Sequence, residues 1–200
     1  YRDETRKMLE RPPRQFPCLR GKILDSRGRI LASDAPAWSI AVQYGAMVDQ
    51  HGLMVDDPTV RKNMCRLMDL PWRELSEERI KESWARIAEL SARPLPDLWV
   101  EAERIVSRVQ RIKKTVSERR GVETLIEEEL QPHPVVRGLN RSEQVAARIA
   151  LAEYPWIEIV SSHRRVYAGG AAMGQTLGRL GRVTDQALAN DPNADDLLAR

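Results

Sequence analysis

The chain has few of the residues on which disulfide scaffolds and metal sites depend. Its 200 residues include two cysteines and three histidines, and these do not cluster at metal-ligand spacing. A bridge between Cys18 and Cys65 is chemically allowed in an oxidising compartment, but two separate buried thiols are the favoured state. We therefore predict no disulfide framework, no metal site and no other cofactor.

Long apolar runs and a strong charge of one sign are also missing. No segment approaches the roughly 18 consecutive apolar residues of a membrane-spanning helix, and none has the order of regions of a signal peptide. The net charge of +3 is small, and the charges are too evenly interspersed to indicate a nucleic-acid surface. Since 42% of the residues are hydrophobic, we expect a folded core and no nucleic-acid partner.

Sequence motifs of enzymes are absent as well. The patterns G-x-x-x-x-G-K-[ST], G-x-G-x-x-G, H-E-x-x-H and G-x-S-x-G do not occur. Acidic groups such as Glu77–Glu78 and Glu127–Glu129 are typical of solvated helix faces. We predict no catalytic residue in this segment. A cryptic enzyme is the minor alternative, and a pocket without convergent titratable groups would exclude it.

Apolar patterns predict an α+β fold in which strands from both ends of the chain form a small β base. Leu19–Ser33 place two apolar pairs around Asp25–Gly28, which is a hairpin signal. After a break at Asp34–Pro36, residues 38–44 alternate as a half-buried strand does. Strands near both ends of the sequence, with helices between them, are typical of an α+β fold in which distant segments pair in one sheet. Further strands are predicted at 133–139, 156–160 and 163–167.

Helical spacing dominates the middle of the chain. Asp57 and Pro58 predict one helix start and Ser76 predicts another. The longest helix is predicted over about Asp97–Arg119, where apolar residues repeat as a heptad seam. A short proline-containing loop precedes it, so we predict an antiparallel helical hairpin that projects from the β layer, with a parallel dimer as the alternative. The seam residues are Leu98, Ala102, Ile105, Val109, Ile112 and Val116.

Two shorter helices are predicted after this hairpin. Gly121 ends the long helix, and residues 122–130 can form one more short helix. Asn140 or Ser142 can begin a helix over Glu143–Glu153. Its inward face is predicted to consist of Val145, Ile149 and Ala152.

Two glycine-bearing motifs resemble those of a known family. The first, R-G-x-I-x-D-x-x-G-x-x-L-A, resembles the signature at the juxtamembrane start of class B penicillin-binding proteins, with Ser26 in place of the usual Arg. The second, R-x-Y-x-x-G followed by L-G-x-x-G, is similar to the family's R-x-Y-P-x-G…H-x-x-G-x-x-G, with Ala168 for Pro and Gln175 for His. The motif residues are Arg20, Gly21, Ile23, Asp25, Gly28, Leu31, Ala32, Arg165, Tyr167, Gly170, Leu177, Gly178 and Gly181.

This resemblance implies a non-catalytic dimerisation or pedestal domain on the periplasmic side of the bacterial cytoplasmic membrane. A membrane anchor would precede Tyr1, and a transpeptidase domain with S-x-x-K, S-x-N and K-T-G would follow Arg200. The whole protein would then be a peptidoglycan D,D-transpeptidase. The expected division is a juxtamembrane segment at 1–18, a β base from 19–55 and 132–185, a helical head at 56–131, and the start of a linker at 186–200.

The motif residues themselves are predicted to maintain the fold. Gly21 and Gly28 permit turn conformations, Asp25 can cap the hairpin turn, and Arg20 can pair with a carboxylate or a carbonyl across the strands. Contact of Arg165 and Tyr167 with the missing catalytic domain is the alternative for those two residues.

Partners follow from the resemblance. It implies a SEDS-type glycan polymerase and a periplasmic scaffold protein, and the large helical insertion favours the elongation type over the division type. The candidate partner surface is the outer face of the long helix, and a charged spacer without partners is the plain alternative. A free-standing helical homodimeric adaptor is the alternative for the whole chain. The candidate surface residues are Trp99, Arg104, Arg108 and Arg111.

Overall fold

A computed structural model describes residues 20–54, 57–71 and 75–170. Within these ranges, four strands form one sheet and four α-helices connect or cover them, which confirms the predicted α+β class. Two single 3₁₀ turns are present at Tyr44–Ala46 and Glu127–Glu129. The elements are β1 (Ile23–Leu24), β2 (Ile30–Gln43), α1 (Pro58–Leu67), α2 (Glu77–Ser91), α3 (Leu95–Arg120), β3 (Pro132–Leu139), α4 (Arg141–Ala150) and β4 (Ile157–Tyr167).

The chain divides into two compact units. Among the described residues, the larger unit contains the helices and the chain between Asp34 and Arg164, and the smaller unit contains Arg20–Ser33 and 165–170. The helices share one hydrophobic core with the strand segments that flank them.

The sheet is antiparallel where β2 meets its neighbours β1 and β3. In the smaller unit, Ile23 of β1 pairs with Ala32 of β2. In the larger unit, β2 pairs with β3 from Trp38, opposite Leu139, to the end of the strand. β4 pairs with β2 as well, so β2 is the central strand.

The long helix α3 lies on the sheet. Its seam residues Leu98 and Val109 are fully buried and belong to the same cluster as Ile40 and Val42 of β2. α3 also packs against β3 and α2. The prediction that the helical hairpin projects from the β layer is therefore wrong, because the sheet covers the seam together with α2. None of the helices in the described part of the chain is both long and apolar enough to cross a bilayer.

Helix ends agree closely with the sequence signals. The Asp57 carboxylate accepts the second and third amides of α1, and the Ser76 hydroxyl accepts the third amide of α2. Gly121 ends α3 with a φ of 69°. Asn140, rather than Ser142, caps α4 and forms a reciprocal capping box with Glu143.

Three boundaries differ from the predictions. β2 continues through Pro36, because its pairings with β1 and β3 skip residues 33–37 and the missing N–H breaks no hydrogen bond to those strands. The two strands predicted at 156–160 and 163–167 form the single strand β4. Residues 122–130 form only a 3₁₀ turn rather than a helix.

The inward face of α4 was predicted incorrectly. Val145 and Ile149 are 48% and 76% exposed, and Ala152 is exposed too. The buried side chains are Ala147 and Leu151. Both stripes are apolar at helical spacing, so periodicity alone does not decide which of them faces the core.

Cys65 is a buried free thiol on α1, as predicted. It belongs to the core cluster, and burial raises its pKa above the ordinary value. Cys18 lies outside the described residues.

Candidate functional site

The first motif forms a tight turn that one carboxylate holds. Oδ1 of Asp25 accepts hydrogen bonds from the amides of Arg27 and Arg29 at 2.9 and 2.8 Å, and Oδ2 accepts one from Arg29 Nε at 2.6 Å. The Gly28 amide donates to the Asp25 carbonyl, and Gly28 has a φ of 76° that disfavours side chains. The amide and side chain of Arg29 hold the pKa of Asp25 below its ordinary value. Asp25 thus caps the turn as predicted.

The two motifs meet inside the smaller unit through main-chain groups. Nη1 of Arg165 donates to the Gly21 carbonyl at 2.9 Å, which is a cross-strand contact of the kind predicted for Arg20. The Ala168 amide donates to the Leu31 carbonyl at 2.9 Å. Hydrogen bonds therefore join the two motif segments within the smaller unit. Ala32 is fully buried, Ile23, Leu31 and Tyr167 are half-buried, and Gly170 adopts a φ of 59°; Leu177, Gly178 and Gly181 lie outside the described residues.

A second turn of the same design lies at Asp49–Leu53, in the larger unit. Oδ1 of Asp49 accepts the amides of His51 and Leu53 at 2.8 and 2.9 Å, and the Gly52 amide donates to the Asp49 carbonyl at 3.0 Å. Gly52 has the same φ of 76° as Gly28. This turn was not predicted, although the spacing D-x-x-G that it shares with the first motif is a signal that could have found it.

The second turn is packed against Trp99. A Cβ built at Gly52 would lie 2.7 Å from Cζ2 of Trp99, so the indole ring sits directly over the glycine. Trp99 is half-buried and packs against the core. Its placement on the outer face of α3 is therefore wrong, because the turn at Gly52 covers it.

The three arginines of the candidate partner surface do share one exposed face of α3. They stand at positions i, i+4 and i+7. Nη1 of Arg104 lies 3.3 Å from Glu101 Oε2, and Nη2 of Arg108 lies 3.4 Å from His133 Nδ1. Arg111 is exposed.

His133 is held in one tautomer beside this face. Its Nε2 donates to the Glu128 carbonyl at 2.7 Å, which leaves Nδ1 as the acceptor facing Arg108. Burial, and then the charge of Arg108, lower the pKa of His133 in spite of the Glu128 hydrogen bond. The imidazole therefore stays neutral near pH 7, and its Nδ1 faces the Arg108 guanidinium.

A buried ion pair joins α3 to the 3₁₀ turn at Glu127–Glu129. Nζ of Lys113 lies 2.8 Å from Glu129 Oε1 and 3.2 Å from Asp57 Oδ2, and Glu129 is 2% exposed. Burial alone lowers the pKa of Lys113, but the hydrogen bonds to Glu129 and Asp57 outweigh it and raise the pKa. Burial, together with the charge of Glu129, raises the pKa of Tyr44 to about 12.

This ion pair is structural, and Glu129 is buried although Glu127–Glu129 was predicted to lie on a solvated face. Glu129 belongs to a run of three glutamates, which is typical of a solvated face, yet its second oxygen accepts the Ile126 amide at 3.0 Å. Both carboxylate oxygens are thus used to fix the turn. In the described part of the chain, no group of three or more His, Cys, Asp or Glu side chains has a geometry that could hold a metal ion.

An open groove of about 600 Å³ runs between α2 and α4. Its lining combines carboxylates with the exposed side of α4, and no sequence motif falls in it. The lining residues are Glu82, Ala85, Arg86, Glu89, Ile149, Ala150, Glu153 and Tyr154.

Comparison with known families identifies the chain. Residues 15–197 match the family model described as "Penicillin-binding Protein dimerisation domain". The match covers both motifs and the helices between them, so it confirms the resemblance seen in the motifs alone. A search of curated protein sequences found no significant match. The chain belongs to the family of penicillin-binding protein dimerisation domains.

Proposed function

We propose that this chain is the non-catalytic periplasmic module of a peptidoglycan D,D-transpeptidase, in which it positions the catalytic domain and docks partners of cell-wall synthesis. The observation that carries the proposal is the family match over residues 15–197. In the full-length protein, an anchor precedes Tyr1 and the transpeptidase domain follows Arg200. Acyl transfer to and from the active-site serine belongs to that second domain.

The geometry of the motifs supports a positioning role. The Asp25 carboxylate and the Arg165 guanidinium bind main-chain groups of the same unit, so they are engaged in fixing the turn and the strands. A site for a small substrate needs polar groups that converge on a cavity. The motif residues instead stabilise a base from which the chain continues.

The exposed arginine face of α3 supports the docking role. Arg104, Arg108 and Arg111 align on one side of a 26-residue helix whose other side is anchored in the core. A rigid basic stripe fits an acidic surface on a partner and guides its approach. A SEDS-type glycan polymerase and a periplasmic scaffold protein of the elongation machinery are the proposed partners.

The first experiment tests the proposed enzyme. The complete reading frame is expected to encode about twenty consecutive apolar residues before Tyr1, and S-x-x-K, S-x-N and K-T-G in that order after Arg200. Fluorescent penicillin should label the membrane-bound full-length protein and leave the 200-residue chain unlabelled. A reading frame without these motifs, or a full-length protein that penicillin does not label, would contradict the proposal.

The second experiment tests docking by α3. Arg104→Glu, Arg108→Glu and Arg111→Glu together should impair growth and cell shape while penicillin labelling of the full-length protein stays unchanged. The matched control reverses three other exposed charges, Lys62→Glu, Arg66→Glu and Arg119→Glu, and should be tolerated. Equal effects of the two triple variants would show that the face formed by Arg104, Arg108 and Arg111 has no special role.

A further inference from the structure

Helix α4 leaves an apolar face uncovered. Val145 and Ile149 are one helical turn apart and are 48% and 76% exposed, and the exposed Ala152 continues the same face just beyond the end of the helix. The opposite face, with Ala147 and Leu151, already lies in the core. The exposed face is thus additional to what folding of the unit requires.

The groove beside this face has room for a side chain from outside. Ala85 on α2 and Ala150 on α4 both line it with small side chains. Tyr154 is buried at the groove, and Ile149 borders it with most of its surface in solvent. An apolar residue that entered this space would contact Ile149 and remove it from water.

The rim of the groove is acidic. Among the lining residues, Glu82, Glu89 and Glu153 contribute three carboxylates, and Arg86, which is ion-paired with Glu89, contributes one guanidinium. A second guanidinium, that of Arg79, adjoins the groove, 6.0 Å from the centre of the Tyr154 ring and 2.9 Å from the Glu153 carbonyl. Burial first, and then the charges of Glu82 and Glu153, raise the pKa of the Tyr154 hydroxyl, while Arg79 acts in the opposite direction. A ligand with positive charges beside its apolar residues therefore complements the groove.

We infer that the groove between α2 and α4 binds a basic amphipathic helix of a partner protein, with the apolar side of that helix on Val145 and Ile149. The inference rests on the proposed docking function and deepens it, since it adds a surface whose charge is opposite to that of the arginine face. A helix laid along α4 presents apolar residues at i, i+3, i+4 and i+7, which matches the spacing of the exposed stripe. Its lysines or arginines then reach the rim carboxylates.

A second copy of the chain is a poorer occupant. A two-fold symmetric dimer would place each groove against the same groove of the other copy. The rim carboxylates would then face carboxylates, and like charges in contact oppose association.

The test uses the 200-residue chain and a defined probe. The probe is a fluorescent peptide of about 18 residues with leucine at i, i+3, i+4 and i+7 and lysine at the remaining positions, and its binding is followed by anisotropy. Ile149→Ser, which removes the apolar contact without adding a charge that attracts lysine, should weaken binding at least tenfold. Glu82→Gln with Glu153→Gln should weaken it about threefold to tenfold and reduce its salt dependence. Leu67→Ser, which changes an exposed leucine of α1 outside the groove, should leave binding unchanged.

Three results would overturn the inference. The first is an Ile149→Ser variant that binds the probe as well as the Leu67→Ser control does. The second is equal binding of a peptide in which glutamate replaces every lysine. The third is a concentration-dependent doubling of the molecular mass that Ile149→Ser abolishes, which would assign the face to a second copy. Penicillin labelling of the full-length protein tests the proposed function separately, so either idea can fail while the other stands.

Discussion

Two turns of this chain share one local design and differ in their surroundings. In each, an aspartate accepts two amides downstream, and a glycine three residues later adopts a φ of 76°. A Cβ added to the glycine of the first turn, Gly28, would have no atom within 4 Å, whereas a Cβ added to Gly52 would meet the indole ring of Trp99. Gly28 is exposed, and Gly52 is buried.

This difference separates two reasons for a glycine. At Gly28 only the backbone conformation demands it, and an L-residue there is destabilised by its left-handed φ. At Gly52 glycine is also required because the Trp99 ring leaves no room for a Cβ. The motif that resembles the family's signature includes the first turn, so a recognisable motif need not mark the position where substitution harms packing most.

The largest expected effect is that of Gly52→Ala. The left-handed backbone costs about 1–2 kcal/mol for a residue with a Cβ, and crowding against a packed ring adds about 1–3 kcal/mol. We expect the free energy of unfolding to fall by about 3 kcal/mol in total, measured by urea denaturation. A loss of the size expected for Gly28→Ala would mean that Trp99 moves aside freely.

A double variant isolates the contribution of the ring. Trp99→Leu removes the atoms that meet the new Cβ, so Gly52→Ala in that background should cost only the backbone strain, about 1–2 kcal/mol. Strictly additive effects of the two substitutions would argue that the contact is unimportant.

Ion pairs offer the same contrast between buried and exposed surroundings. Lys113→Met leaves Glu129 buried without its cation and should lower the free energy of unfolding by about 3 kcal/mol. Glu129→Gln should cost less, because the amide oxygen can still accept the Ile126 amide and Lys113 keeps Asp57. Arg29→Met, which removes the exposed partner of Asp25, should have little effect on the same denaturation curve. Equal losses for Lys113→Met and Glu129→Gln would contradict this account.

Gly28→Ala should have the smaller of the two glycine effects. With open space around the new Cβ, only the left-handed backbone contributes, and the expected cost is about 1 kcal/mol. Hydrogen exchange of the Arg29 amide, which donates to Asp25, should become faster. Gly28→Asn is the control, since asparagine tolerates this conformation better. Identical exchange in the alanine and asparagine variants would count against a conformational cause.

The smallest of the predicted effects is that of acid, which should slightly destabilise both turns. The folded-state pKa values of Asp25 and Asp49 lie below the ordinary value of 3.8, mainly through the amides of Arg29 and Leu53 respectively. The stability that they contribute is therefore present above about pH 4 and is lost as the pH falls through the folded-state pKa. The protection factors of the Arg29 and Leu53 amides, which are corrected for the intrinsic pH dependence of exchange, should fall together below about pH 4, and Asp25→Asn should remove this pH dependence from Arg29 alone.

Local signals in the sequence predicted what short-range chemistry determines. Asp25 with Gly28, the caps at Asp57 and Ser76, and the C-terminal Gly121 follow from hydrogen bonds and φ preferences within a few residues. Family resemblance then supplied the functional class, which no catalytic group in the sequence could have indicated.

Long-range packing determined what the sequence did not predict. The choice between the two apolar stripes of α4 depends on which one meets its neighbours, and so Val145 was assigned to the wrong face. Glu129 was predicted to be solvated because the sequence does not show that Lys113, sixteen residues earlier, is its partner. Trp99 was predicted to be exposed because Gly52, which covers it, lies in a loop that is distant in sequence. Such contacts leave no periodic trace in a single sequence.

The buried Cys65 provides a built-in probe of how often the surrounding structure opens. A protonated thiol inside the core is a poor nucleophile, because thiol reagents react with the thiolate and need access to the sulfur. In a Cys18→Ser background, the labelling rate of Cys65 by a disulfide reagent would report how often the α1 region opens. The rate of Cys65 modification thus measures the rate of opening without the introduction of a new label site.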